Sequence, residues 1–132
     1  MARKLLAAAL AVFGALGAPA HADPPVAHEV VYTVTTRSPV VADIYYRDTD
    51  PPTWADYSHN PYEFSPKVQA DVGPGRPWVL RATLADPQRW AMVTATSGRS
   101  AEPGFQCELT VDGVVVATAD GPKGALCALR HW

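Results

Sequence analysis

Trp78, Leu80, Ala82 and Leu84 alternate with Val79, Arg81 and Thr83. A period of two marks a strand with one face in a core, because successive side chains of an extended chain point to opposite faces. The pattern recurs along the chain. Val30, Tyr32 and Val34 alternate with Val31, Thr33 and Thr35. Val41 to Arg47 places Ile44 and Tyr46 on one face and Asp43, Tyr45 and Arg47 on the other. Phe105, Cys107, Leu109 and Val111 alternate with Gln106, Glu108 and Thr110. Shorter runs read as strands at Trp90 to Thr96, Val114 to Ala119 and Ala125 to Arg130, and Lys67 to Val72 is a candidate for a further short one.

Turn signals separate these runs. They are Arg47 to Pro52, Gly73-Pro74-Gly75-Arg76-Pro77, Asp86-Pro87, Ser97 to Gly104 and Asp120 to Gly124. Asp112-Gly113 between two β-branched runs predicts a type I′ hairpin turn. The chain has 13 prolines, which argue against long helices, since each in a helix interior costs about 3 kcal/mol. Short strands, about seven in number, punctuated in this way predict an all-β fold, an antiparallel β-sandwich or barrel, and of the two we take the sandwich, of immunoglobulin-like type. Trp78, Trp90 and Phe105 are its expected large core residues.

The N-terminus reads differently. Arg3 and Lys4 precede an apolar run from Leu5 to Leu16, Gly17 and Pro19 break it, and Ala20-His21-Ala22 is an A-x-A cleavage site. These are the parts of a secretory signal peptide in their usual order. We read residues 1–22 as that signal and 23–132 as one exported domain, periplasmic, in the cell envelope or secreted. Leu5 to Ala20 is short of the roughly 20 residues of a membrane span, and an uncleaved anchor is the alternative.

Export places Cys107 and Cys127 in an oxidising compartment, where two cysteines of a small domain are most simply one disulfide. The formal net charge is −2, and 11 basic against 13 acidic residues leave no footprint for nucleic acid.

Pro51 to Pro66 is of another kind. It holds Pro51, Pro52, Pro61 and Pro66 with Trp54, Tyr57, Tyr62 and Phe64, and has no period of 2 or 3.6. We read 51–66 as an irregular aromatic loop. Trp54, Tyr57, Tyr62 and Phe64 are candidate partner-binding residues, because large rings with few rotors are favoured at interfaces. The opposite reading is that the rings fold back over a sheet edge. Val114 to Val116 carries a similar choice between an edge strand open to β-addition and a strand buried on both faces.

The residues also resemble a family. Val30-Val31-Tyr32-Thr33-Val34, Ile44-Tyr45-Tyr46-Arg47-Asp48-Thr49-Asp50, Pro77-Trp78-Val79-Leu80 and Cys107-Glu108-Leu109-Thr110-Val111-Asp112-Gly113 with Cys127 occur in the order seen in MmpS proteins. These are small actinobacterial accessory proteins of MmpL-type lipid and siderophore exporters. The resemblance covers most of the exported domain and implies a β-sandwich. It implies as partner an MmpL-type membrane transporter or its lipid-like cargo. Two features depart from the family: the cleavable signal in place of an anchor, and a longer segment from Pro51 to Gly75.

No catalytic constellation is legible. His28 sits on a strand edge and His59 in the aromatic loop, and no nucleophile motif accompanies them. Asp48, Asp50 and Asp56 lack the glycine and distal glutamate of a calcium loop and read as caps of backbone N–H groups. The expectation is a non-enzymatic accessory or binding protein of the cell envelope without metal or cofactor. Its alternative is a freely secreted immunoglobulin-like binding domain with no transporter partner.

Overall fold

The computed structural model describes residues 26–98 and 101–130. The signal segment read at 1–22, or the anchor that is its alternative, lies outside the described residues, as does His131. Among the described residues no helix is long and apolar enough to cross a membrane.

The strands are β1 (His28–Thr36), β2 (Val40–Tyr46), β3 (Lys67–Val72), β4 (Trp78–Leu84), β5 (Met92–Thr96), β6 (Phe105–Val111), β7 (Val114–Gly121) and β8 (Gly124–Ala128). Two short helices interrupt them, α1 (Trp54–His59) and α2 (Pro87–Trp90), with a 3-10 turn at Pro61–Phe64. Eight strands thus replace about seven. They form two antiparallel sheets of four, in the order β4-β1-β6-β7 and β3-β2-β5-β8.

The alternation decides what lies between the sheets. Val30, Tyr32 and Val34 of β1, and Phe105, Cys107 and Leu109 of β6, are buried from the first sheet. Ala42 and Ile44 of β2, Val93 and Ala95 of β5, and Ala125 and Cys127 of β8 are buried from the second. Cys107 and Cys127 form a disulfide with Cα atoms 6.1 Å apart. It joins β6 to β8 and therefore ties one sheet to the other. The hairpin turn has the backbone that Asp112-Gly113 foretells, with φ of 50° and 82°.

Four expectations need correction. Segment 51–66 is not irregular, because Thr53 caps α1 by accepting from the Asp56 N–H, and Asp56 accepts the Thr53 hydroxyl in return. Trp90 is buried, but at the end of α2, which Asp86 caps and Pro87 opens. Trp78 is only half-buried, because β4 is an edge strand, and it packs against Tyr46 with ring centroids 5.6 Å apart. Arg47, placed on the outward face by alternation, is fully buried. The strand ends at Tyr46, and the periodic argument ends with it.

Candidate functional site

Arg47 leaves β2 at the end of the sandwich that α1 and the 3-10 turn cover. Its backbone N–H still donates to the Met92 carbonyl, so the chain holds its course while the side chain turns inward. Nε donates to the Phe64 carbonyl at 3.2 Å and Nη1 to the Trp90 carbonyl at 3.2 Å. Nη2 donates to the Tyr57 hydroxyl at 3.2 Å and to Ser65 Oγ at 2.9 Å. One planar guanidinium thus ties together α1, the 3-10 turn and α2. Its five donors in a fixed fork suit this work better than any other side chain.

Aromatic rings pack on the same group. The guanidinium carbon lies 4.6 Å from the Tyr57 ring centroid and 5.7 Å from that of Trp90. Tyr57 contacts Trp54 and Trp90, each at 5.3 Å, and Trp54 stacks on Trp90 at 6.2 Å. Arg130 closes the stack from outside, 4.1 Å over the Trp54 ring. Each such cation–π contact contributes about 0.5–2 kcal/mol, more where water is excluded.

Below the cap, the Tyr32 hydroxyl donates to the Arg47 carbonyl at 2.6 Å and accepts the Met92 N–H at 3.2 Å. Burial pushes the Tyr32 hydroxyl up to about 12. Burial also lowers the pKa of the Arg47 guanidinium, with Tyr57 opposing the shift.

The cap leaves a shallow depression of about 430 Å³ beside the outer face of the second sheet. It is lined by Tyr45, Tyr57, Pro61, Tyr62, Ser65, Met92 and Thr94. Tyr45 and Thr94 are cross-strand neighbours on β2 and β5 and form the floor. Lys67 stands at its side, with Nζ 5.8 Å from the Tyr45 ring. The arrangement offers apolar faces with hydroxyl edges, which suits contact with rings, prolines or acyl chains.

The four aromatic residues singled out from the sequence are therefore in one structural unit but in four roles. Tyr62 is 78% exposed and stands free on the rim. Trp54 is 44% exposed, with one face given to the stack. Tyr57 packs against the core and is mainly a support. Phe64 is half-buried and offers its carbonyl to Arg47. Tyr45, Met92 and Arg47 were not foreseen as part of this site.

The acidic residues have structural work. Asp50 accepts from the Ala85 and Asp86 N–H groups at 2.7 and 2.9 Å. Asp56 belongs to the α1 cap. His28 Nδ1 lies 2.6 Å from Asp112 Oδ2, which ties the start of β1 to the hairpin turn, and His59 is exposed at the end of α1. Among the described residues no group of three or more His, Cys, Asp or Glu is placed to hold a metal ion.

Residues 32–127 match the model of the Rv2576c β-sandwich domain. The chain belongs to this family. It is 42% identical over 125 residues to the uncharacterized protein Rv2576c of Mycobacterium tuberculosis, covering 95% of this chain and 80% of that one. The same figures hold for the uncharacterized protein Mb2606c of Mycobacterium bovis. The match spans the whole of β2 to β7, with the aromatic cap inside it. Neither the family nor these two relatives carries an MmpS name.

Proposed function

We propose that this member of the Rv2576c β-sandwich family is an exported, non-enzymatic accessory or binding protein of the cell envelope. It holds its partner on the aromatic cap, at the depression between Tyr62 and Tyr45. The observation that carries this reading is the contrast within the cap. Arg47 and Tyr57 are fastened inward, while Tyr62 is left exposed on a braced rim. An exposed tyrosine on a rigid support gives contact area at low entropic cost. The likeness of the strand and Cys–hairpin–Cys residues to MmpS proteins supports an MmpL-type transporter or its lipid-like cargo as partner. The Ala20-His21-Ala22 site supports the second reading, a secreted binding domain with no transporter.

Two measurements test the site and the partner. A photo-crosslinker in place of the exposed Glu63, beside Tyr62, is expected to capture an MmpL-type transporter in the native envelope. Recovery of none, with a mature N-terminus at Asp23 in the medium, replaces the accessory reading by the secreted one. Tyr62→Ala is expected to lower capture by about tenfold at unchanged melting temperature, the loss expected for a central interface ring. Unchanged capture would move the site elsewhere.

A further inference from the structure

A sandwich has four edges, and three of these are guarded. Arg81 lies in the middle of β4 and reaches Glu29 at 3.4 Å. β3 carries Lys67 and Asp71 and is bracketed by Pro66 and Pro74. β8 is only five residues long. Charge, proline and shortness are the devices by which edge strands avoid foreign pairing. β7 is eight residues long, with no lysine, arginine or proline, and Asp120 as its one charge. Val114, Val115 and Val116 are 62%, 52% and 37% exposed on it. Burial on both faces, the other reading of this run, is thereby overturned.

We propose that β7 pairs antiparallel with β7 of a second copy of this chain, about a two-fold axis at Thr118, with the bulged pair Val116 and Ala117 taken up opposite Ala119 of the second copy. The strand itself supplies the argument for this occupant. Its first half is bulky, Val114-Val115-Val116, and its second half contains the small residues Ala119 and Gly121. The two-fold sets the bulky half of each copy against the small half of the other. Val114 then faces Gly121, Val115 faces Asp120 and Val116 faces Ala119. A two-fold contact needs such a self-complementary surface.

Charge agrees with size. The two Asp120 side chains fall at opposite ends of the paired strands and do not meet. Beyond the strands, Lys123 of each copy comes level with Asp112 of the other. β7 also has a bulge, where the partner of β6 steps from Ala117 to Val115 and leaves Val116 extra. A bulge usually protects an edge. In this register each bulge lies against Ala119 of the second copy, where a small side chain leaves room for it.

The register makes position 115 a charge test. Purified protein from cells expressing the full chain is followed by sedimentation velocity over a concentration series, with hydrogen exchange at low and high concentration. The expected result is a concentration-dependent dimer with slowed exchange confined to β7. Val115→Glu places a like charge against Asp120 twice per dimer and is expected to raise the dimer Kd by about tenfold or more. Val115→Lys makes the opposite pair and is expected to keep the Kd within about twofold. Both changes are at a half-exposed position, and unchanged melting temperatures confirm folding. A monomer at every concentration, a dimer without β7 protection, or equal weakening by both substitutions would each overturn the proposal.

Discussion

Arg47→Ala is the sharpest test of how the cap is held. The substitution removes the donor from the buried Trp90 carbonyl and from three part-buried acceptors, Phe64 O, Tyr57 Oη and Ser65 Oγ. A buried acceptor stripped of its partner costs about 1–3 kcal/mol, and each part-buried one less, because water reaches it. The lost contacts with the Tyr57 and Trp90 rings add about 1 kcal/mol. Against these stands relief from burying a charge, a penalty of several kcal/mol that the native fold already carries. Breaking such a network usually costs about 3–5 kcal/mol net, and that is the expected loss. Arg47→Lys retains the charge without the fork and should fall between this variant and the native chain. Urea unfolding followed by tryptophan fluorescence reads the effect, since Trp54 and Trp90 both lie in the stack. Hydrogen exchange should show α1 and the 3-10 turn opening before the sheets. A loss below about 1 kcal/mol, or uniform loosening of both sheets, would refute the reasoning that Arg47 fastens the cap.

Other outcomes follow from single groups. Replacing Cys107 and Cys127 by alanine should lower stability by about 3 kcal/mol and the melting temperature on the order of 10 °C, read by calorimetry. Tyr32→Phe leaves the Arg47 carbonyl and Met92 N–H without their shared partner and should cost about 1–3 kcal/mol at neutral pH. Because folding raises the Tyr32 pKa from 10.0 to about 12, its stabilising share is complete below pH 10 and disappears as pH rises through 12. Alkaline unfolding curves should show that fall in the native chain and not in Tyr32→Phe. The Thr36 hydroxyl is buried with no hydrogen-bond partner among the described residues, and Thr36→Val should gain about 1 kcal/mol in denaturant unfolding.

Alternation made the sandwich legible, because each strand of a two-layer fold must send every second side chain into the one core. Val30, Tyr32 and Val34 could be placed inward before any pairing was known, and so could Phe105, Cys107 and Leu109. The cap was harder. Helix α1 spans six residues, too few for a period of 3.6 to repeat. Its start was nevertheless written in Thr53-x-x-Asp56, a capping pattern four residues long. Asp86-Pro87 likewise announces α2, with a cap residue followed by proline at the first helical position. Arg47 could not be read in this way. A charge one residue past a strand is usually solvated, and only the folded cap supplies its carbonyl and hydroxyl acceptors. The depression was hidden for a similar reason, since Tyr45 and Met92 reach it from strands far from Tyr62 in sequence.

The position of β1 has a consequence for timing. It is an interior strand of its sheet, yet it leads the chain, and its neighbour β6 pairs Val30 with Val111 across the length of the domain. The first strand made therefore waits, unsatisfied on one side, until nearly the last has emerged. Such distant pairing is slow to form and cannot begin on a partial chain. Under the export proposed above, that delay would keep the domain from closing before passage is complete. The disulfide shares the delay, since Cys107 lies in β6 and Cys127 in β8, and neither sheet can be tied to the other until both strands are made.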